Sequence, residues 1–248
     1  MYNPFSLKGK TIFITGASSG IGRATAIECS KLGATVVITG RNKERLNETY
    51  TQLEGNGHIQ LIADLNKTQE IEKLLSNLPV IDGCVNNAGI VKTTLTSFIT
   101  NEALNEVMQT NTIAPILLTQ QLIKKKKLKA GSSIVFTSSI SGVSIAFLGN
   151  VLYSTSKGAI NGFVKNAALD LATKKIRVNS VTPGMVETAI LNDGTISNEQ
   201  LKEDMKKYPL KRYGKPEEVA YAIIYLLSDA SAWVTGTNLL IDGGLTLQ

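Results

Sequence analysis

The chain has 248 residues, enough for one well-buried α/β domain and too few for two comfortable ones. Its net charge is +6, its only histidine is His58, and its two cysteines, Cys29 and Cys84, show neither C-x-x-C nor metal-ligand spacing. That composition argues against a Ser-His-Asp hydrolase, a histidine-ligated metal centre and a disulfide framework. No run of about 18 apolar residues is present, so a membrane span is not expected and a soluble, cytoplasmic protein is.

In chain order, Thr11 to Thr15 is a β-branched and aromatic run with the composition of a buried strand. From Ile21 the apolar residues Ala24, Ile27, Cys29 and Leu32 recur at helix-like spacing. Gly16, Gly20 and Gly22 therefore fall where a strand turns into a helix, in the pattern G-x-x-x-G-x-G. Glycine permits the tight turn, and its missing side chain lets a pyrophosphate approach the helix N-terminus. With Ser18, Ser19 and Ile21, this segment reads as a cradle for a dinucleotide.

Further strands are predicted at 35–39, 59–63, 81–86, 132–138, 176–181 and 238–241, with helical patterns between them. Such alternation predicts right-handed crossovers and a seven-stranded parallel sheet covered on both faces, a doubly wound α/β domain over 1–248. Its ligand crevice lies beyond the carboxyl ends of the strands. Gly16, Arg41, Asp64, Asn86, Ser139 and Pro183 all stand at those ends. After the second strand, the place where a carboxylate would read a ribose 2′-hydroxyl holds Gly40, and Arg41 follows. Nothing there repels a 2′-phosphate and a guanidinium is available to pair with it, so NADP(H) is preferred, with NAD(H) possible.

The run Lys124–Lys127, Leu128, Lys129 follows a helical pattern ending near Ile123. It reads as a solvated helix end, or as a surface steering an anionic partner such as an acidic carrier protein. Nucleic acid is not expected, because aromatics are not interleaved with the basic residues. A helix near Leu152 to Ala172 carries Tyr153 and, four residues on and so on the same face, Lys157. A free phenol titrates near about 10, and a neighbouring ammonium favours the phenolate. On that helix Ser154, Ser156, Gly158, Ala159 and Gly162 are expected to form an exposed stripe suited to a subunit contact. Pro216 and the acids Glu217 and Glu218 open a later helix.

These motifs resemble the short-chain dehydrogenase/reductase family over nearly the whole chain. The likeness adds Asn86-Asn87-Ala88-Gly89, Asn111, Ser138-Ser139, Pro183-Gly184 and Ile241-Asp242-Gly243-Gly244 to the glycine segment and the Tyr/Lys pair. It implies that Tyr153 is the proton donor or acceptor, that Lys157 tunes it and holds the nicotinamide ribose, and that Ser139 hydrogen-bonds the reacting carbonyl. Ser139 precedes Tyr153 by fourteen positions, one more than is usual, which leaves Ser138 and Ser141 as rivals. The extra residue is expected within 143–149. Asn111 would support a water chain from Lys157 to solvent, and Asp64 would contact adenine.

The cofactor set implied by the resemblance is completed by Leu65, Asn87, Ala88, Gly89, Pro183, Gly184, Val186 and Thr188. A variable substrate lid is expected over 186–213, with Ile140, Val143, Phe147, Met185 and Ile190 lining a partly apolar pocket. Within the family the chain looks most like 3-oxoacyl-acyl carrier protein reductases, with Lys129 and Lys174 placed to receive the carrier near the active-site entrance and a homotetramer expected. An NADP-dependent alcohol, sugar or hydroxysteroid dehydrogenase is the alternative. A non-catalytic dinucleotide sensor is a more distant one.

Overall fold

The computed structural model describes residues 2–188 and 197–247. Its strands are β1 (Thr11–Thr15), β2 (Thr35–Gly40), β3 (Ile59–Ile62), β4 (Ile81–Asn86), β5 (Leu128–Thr137), β6 (Arg177–Pro183) and β7 (Asn238–Ile241). The helices are α1 (Gly20–Lys31), α2 (Lys43–Tyr50), α3 (Thr68–Asn77), α4 (Asn101–Met108), α5 (Ala114–Lys124), α6 (Val151–Leu171), α7 (Asn198–Met205) and α8 (Pro216–Leu227). All seven strands run parallel in the order β3-β2-β1-β4-β5-β6-β7. The order reverses between β1 and β4, which opens a crevice at their carboxyl ends.

Strand sequences alternate between two cores because successive side chains leave a strand on opposite faces. Ile12, Ile14, Val36, Ile38, Val85, Val135 and Val181 pack under α1 and α8 with Ala26, Cys29, Val219 and Ile223. Phe13, Val37, Cys84, Ile134, Phe136 and Val178 face the other way, against Leu118, Leu122, Ile160 and Val164 of α5 and α6. Removing one large side chain from such a core, as in Phe136→Ala, costs about 3–5 kcal/mol. Both cysteines are buried and unpaired, and burial drives both thiols upward, that of Cys84 to about 12.

The expected strands are all present; β1, β4 and β7 have the expected bounds and the other four have shifted ends. β5 starts at Leu128 rather than 132, because Leu128 pairs with Ile81 across an irregularity before Ser133 rejoins the ladder at Gly83. The lysine run is a helix stop: Lys126 takes a left-handed φ of 54°, Lys126 N–H donates to the Ile123 carbonyl, and Lys127 N–H donates to that of Leu122. His58 is structural. Its Nδ1 accepts from Val36 N–H at 3.0 Å and its Nε2 faces the Glu54 carbonyl at 2.9 Å, which fits a neutral ring protonated on Nε2.

Candidate active site

The turn between β1 and α1 is pressed against the loop that follows β4. Gly16 has φ +66°, and a Cβ there would lie 2.8 Å from Ala88 Cα. A Cβ on Gly22 would come within 2.3 Å of the Gly16 carbonyl oxygen and 2.5 Å of Asn87 Nδ2. Thr15 Oγ1 accepts from the N–H groups of Asn87 (3.0 Å) and Ala88 (3.1 Å), and Asn87 Nδ2 donates to the carbonyls of Thr15 and Gly16. Ser19, the N-cap of α1, makes no side-chain capping bond and no acid occupies the first turn. The first-turn amides of α1 are therefore available to an anion, which is what a pyrophosphate requires. Arg23, which sequence reasoning did not single out, donates to the Ser18 carbonyl at 2.8 Å and pairs with Glu48, fixing the turn's outer limb.

The remaining cofactor candidates border the same crevice. A Cβ on Gly20 would lie 3.2 Å from Thr188 Cγ2, so Thr188 stands across the glycine turn. Val186 bridges to Gly214, and Gly184 N–H donates to the Ile241 carbonyl just after Pro183 closes β6. Arg41 is exposed beyond β2 and forms no ion pair among the described residues. At Gly40 a Cβ would sit 3.4 Å from Ser18, so the position facing the turn carries no acid. Asp64 closes an Asx turn on Asn66 N–H and donates its own N–H to Glu70, with Leu65 half-buried beside it.

Tyr153 lies in the first turn of α6 and Lys157 one turn later, 4 % exposed. Lys157 Nζ donates to the Thr137 carbonyl at 2.7 Å and sits 5.6 Å from the centroid of the Tyr153 ring. Burial lowers the Lys157 ammonium from its ordinary 10.5 to about 8. Lys157 does not bring the Tyr153 phenol below its ordinary value in this structure. Burial raises the phenol, and the opposing influence comes from the neighbouring Ser139 hydroxyl.

The three rival serines separate by their partners. Ser138 Oγ donates to the Lys157 carbonyl, Ser141 Oγ pairs with Ser154 Oγ at 2.6 Å, and only Ser139 meets Tyr153. Ser139 Oγ accepts from Ser141 N–H at 3.1 Å, which leaves its proton to be donated forward.

Asn111 stands in a π-helical turn, Gln109–Ile113, between α4 and α5 rather than in a regular helix, and such turns recur at functional sites. Its Oδ1 accepts from Ile90 N–H (2.8 Å), and its Nδ2 donates to the Ile90 carbonyl (2.9 Å) and Ser156 Oγ (3.1 Å). Ser156 Oγ in turn donates to the Tyr153 carbonyl. A Cβ on Gly89 would lie 3.2 Å from Asn111 Oδ1 and 3.6 Å from Lys157 Nζ, so the loop after β4 covers both.

Several sequence expectations need correction. Ser156 is fully buried in that network and Ser154 is half-buried against the loop after β5, so the exposed stripe of α6 shrinks to Ala159, Gly162 and their neighbours. Ile140 is buried with Tyr208 and Tyr213 under the residues leading to α8, instead of lining a pocket. Phe147 does line a cleft of about 330 Å³, with Leu95, Ala146, Leu148 and Val151. Val143 and Met185 are exposed, and Ile190 and part of the expected lid fall outside the described residues.

Lys129 is at the start of the ten-residue β5, paired with Asp82, and Lys174 follows the 21-residue α6. Each of those elements spans roughly 30 Å. Both lysines thus lie at the sheet edge opposite Ser139 and Tyr153, not at this chain's crevice mouth.

Comparison with known proteins agrees with this geometry. Residues 16–246 match the family model described as enoyl-(acyl carrier protein) reductase. The 3-oxoacyl-[acyl-carrier-protein] reductase of Rickettsia bellii is 36% identical over 241 residues, covering 97% of this chain and 98% of that protein. A solved short chain dehydrogenase/reductase family protein superposes with a TM-score of 0.87 at 30% identity, over 98% of this chain and all of its own. So does a structure titled as a putative NAD(P) dependent gluconate 5-dehydrogenase from Beutenbergia cavernae with bound NADP, at 29% identity and a TM-score of 0.87 over 99% of this chain and 100% of that one. With the glycine turn, the Tyr153/Lys157 pair and Ser139 meeting at one crevice, the chain belongs to the short-chain dehydrogenase/reductase family.

Proposed function

We propose that the protein is an NADP(H)-dependent reductase of 3-oxoacyl thioesters, the acyl group being presented on a carrier protein. The observation that carries this reading is the convergence of Ser139, Tyr153 and Lys157 beside a glycine turn whose helix amides are uncapped. A nicotinamide dinucleotide fits that crevice: Gly16 and Gly22 leave no room for side chains, and the first turn of α1 offers free amides to its phosphates. Gly40 and Arg41 favour the 2′-phosphorylated form, since a guanidinium pairs with phosphate and no carboxylate opposes it. When bound, the reduced cofactor supplies the hydride.

The chain's own residues do the rest. Ser139, one of its lone pairs occupied by Ser141 N–H, donates to the substrate carbonyl oxygen and holds it in a reactive pose. Tyr153 gives its proton to the same oxygen as negative charge develops there, and Lys157 stabilises the phenolate left behind. Near neutral pH the buried Lys157 is close enough to its midpoint to pass a proton on, with Asn111 and the Ile90 backbone beside it.

The position of Lys129 and Lys174 favours a second reading of the substrate, a small ketone or sugar acid needing no carrier, since neither lysine reaches this crevice in the same chain. Association into four copies rests on the exposed Ile113 and Leu117 of the π turn and α5, and on Ala159 and Gly162 of α6. Among the described residues no helix is long and apolar enough to cross a membrane.

The experiment is NADPH oxidation with an acetoacetyl thioester on carrier protein and on a small thiol, with NADH in parallel. Faster turnover with NADPH and the carrier-bound substrate is expected. Turnover restricted to free ketones or sugar acids would replace the thioester reading. No turnover of any carbonyl despite tight cofactor binding would remove the catalytic one.

A further inference from the structure

Resting on the reductase reading, we infer that the hydroxyls of Ser141 and Ser154 form a brace that sets the separation of Ser139 and Tyr153, making both of them positioning residues for proton transfer. Ser154 follows Tyr153 directly in α6, and Ser141 lies two residues after Ser139 in the loop from β5. Their 2.6 Å hydrogen bond is a side-chain link between the strand of one reacting group and the helix of the other. Ser141 is 2 % exposed and Ser154 half-buried, so the bond is largely withdrawn from solvent on the Ser141 side.

The loop backbone supports the same role. Gly142, with φ +82°, lies so close to α6 that a Cβ on it would be 2.1 Å from the Ser154 carbonyl oxygen. Only glycine allows that approach, and the approach is what brings the two hydroxyls within reach. The N–H groups of Val143, Ser144 and Ile145 all converge on the Ile140 carbonyl, and Gly142 N–H donates to Ile145. Asn150 closes the far end, with Nδ2 3.5 Å from Ser141 Oγ and its carbonyl accepting from Ser154 N–H.

The consequence reaches the chemistry through one backbone group. Ser141 N–H donates to Ser139 Oγ and so aims the Ser139 proton. Without the brace, Ser141 relaxes with the loop, Ser139 loses its orientation, and its influence on the neighbouring Tyr153 phenol weakens. A placement error of about 1 Å at such a site lowers rate by as much as about 10²-fold.

The test compares Ser141→Ala, Ser154→Ala, the double variant and Ser154→Thr, which keeps the hydroxyl, in the full-length protein after circular dichroism confirms native folding. Each alanine variant is expected to lose roughly ten- to a hundredfold in kcat with the Kd for NADPH unchanged. The double variant falls no lower than the worse single one, because one contact is removed in each case, and Ser154→Thr recovers most of the rate. Independently of any substrate, the alkaline absorbance titration of Tyr153, isolated by difference against Tyr153→Phe, moves to higher pH in both alanine variants. Wild-type kcat in both single variants, fully additive losses in the double variant, or an unmoved Tyr153 titration would each overturn the brace. A wild-type protein that reduces no carbonyl defeats the reductase reading instead, and the phenol titration still decides the brace.

Discussion

Lys157→Met is expected to make the protein more stable at neutral pH while abolishing turnover. Lys157 is 4 % exposed, its only hydrogen-bond acceptor among the described residues is the Thr137 carbonyl, and burial lowers it from 10.5 to about 8. At about 1.4 kcal/mol for each tenfold change in proton affinity, that fall corresponds to on the order of 3 kcal/mol against the charged form. Methionine keeps the length and removes the charge but leaves the Thr137 carbonyl without its donor, which costs about 1 kcal/mol or more. The net gain at pH 7 is therefore about 1–2 kcal/mol. The pH dependence has a definite sign. Between about pH 8 and pH 10.5 the unfolded chain holds the Lys157 proton and the native state does not, so this group makes stability rise with pH across that window. Below pH 8 its penalty is complete and flat. Urea unfolding of the wild type and Lys157→Met at pH 7, 8, 9 and 10 checks this: the advantage of the variant shrinks as pH rises. A variant less stable than wild type at pH 7, or an advantage independent of pH, would refute the account of a buried and strained cation.

Tyr153→Phe is expected to lower turnover by roughly 10²–10⁴-fold while leaving cofactor affinity intact, read by steady-state kinetics beside fluorescence titration with NADPH. Arg41→Ala should weaken NADPH binding by about ten- to a hundredfold, the worth of a charged hydrogen bond, and leave NADH almost unchanged; calorimetry with both cofactors separates the cases. Lys175→Gly should stabilise the protein by on the order of 0.5–1 kcal/mol in thermal unfolding, because Lys175 holds a left-handed φ of 57° that a Cβ disfavours. A drop in Tm would show that the lysine side chain contributes more than its backbone strain removes.

The fold was legible because a doubly wound sheet repeats one local instruction: an apolar run, a turn, and an apolar pattern of helical period. Thr11–Thr15, Thr35–Gly40 and Asn238–Ile241 needed no tertiary information to be found. Strand ends were less legible. Leu128 joins β5 only because Ile81 lies opposite it, and that partner is 47 positions away in sequence. The placing of the candidate catalytic residues was legible for a related reason. Tyr153 and Lys157 are one helical turn apart, and Ser139 lies two residues beyond the end of β5, so local geometry alone brings each to the crevice edge. Choosing Ser139 over Ser138 and Ser141 required hydrogen-bond partners on α6, which no spacing rule supplies.

The misreadings share a physical origin: small polar residues and lysines carry almost no directional signal in a sequence. Ser156 looked like part of an exposed stripe because serine suits both surface and core; its burial is decided by Asn111 and the π turn, which belong to a different helix. Ile140 reads as a pocket wall until Tyr208 and Tyr213 are seen to cover it. Lys129 and Lys174 are separated from the reacting groups by the lengths of β5 and α6 themselves, so the elements that place Ser139 and Tyr153 at one edge of the sheet necessarily place these lysines at the other. Because every strand points the same way, the residues entering strands gather at one edge and those leaving them at the opposite one. Recognition of a carrier protein at the first edge would be an event separate from reduction of a carbonyl at the second, which is why carrier-bound and free thioesters must be compared side by side before a substrate is assigned.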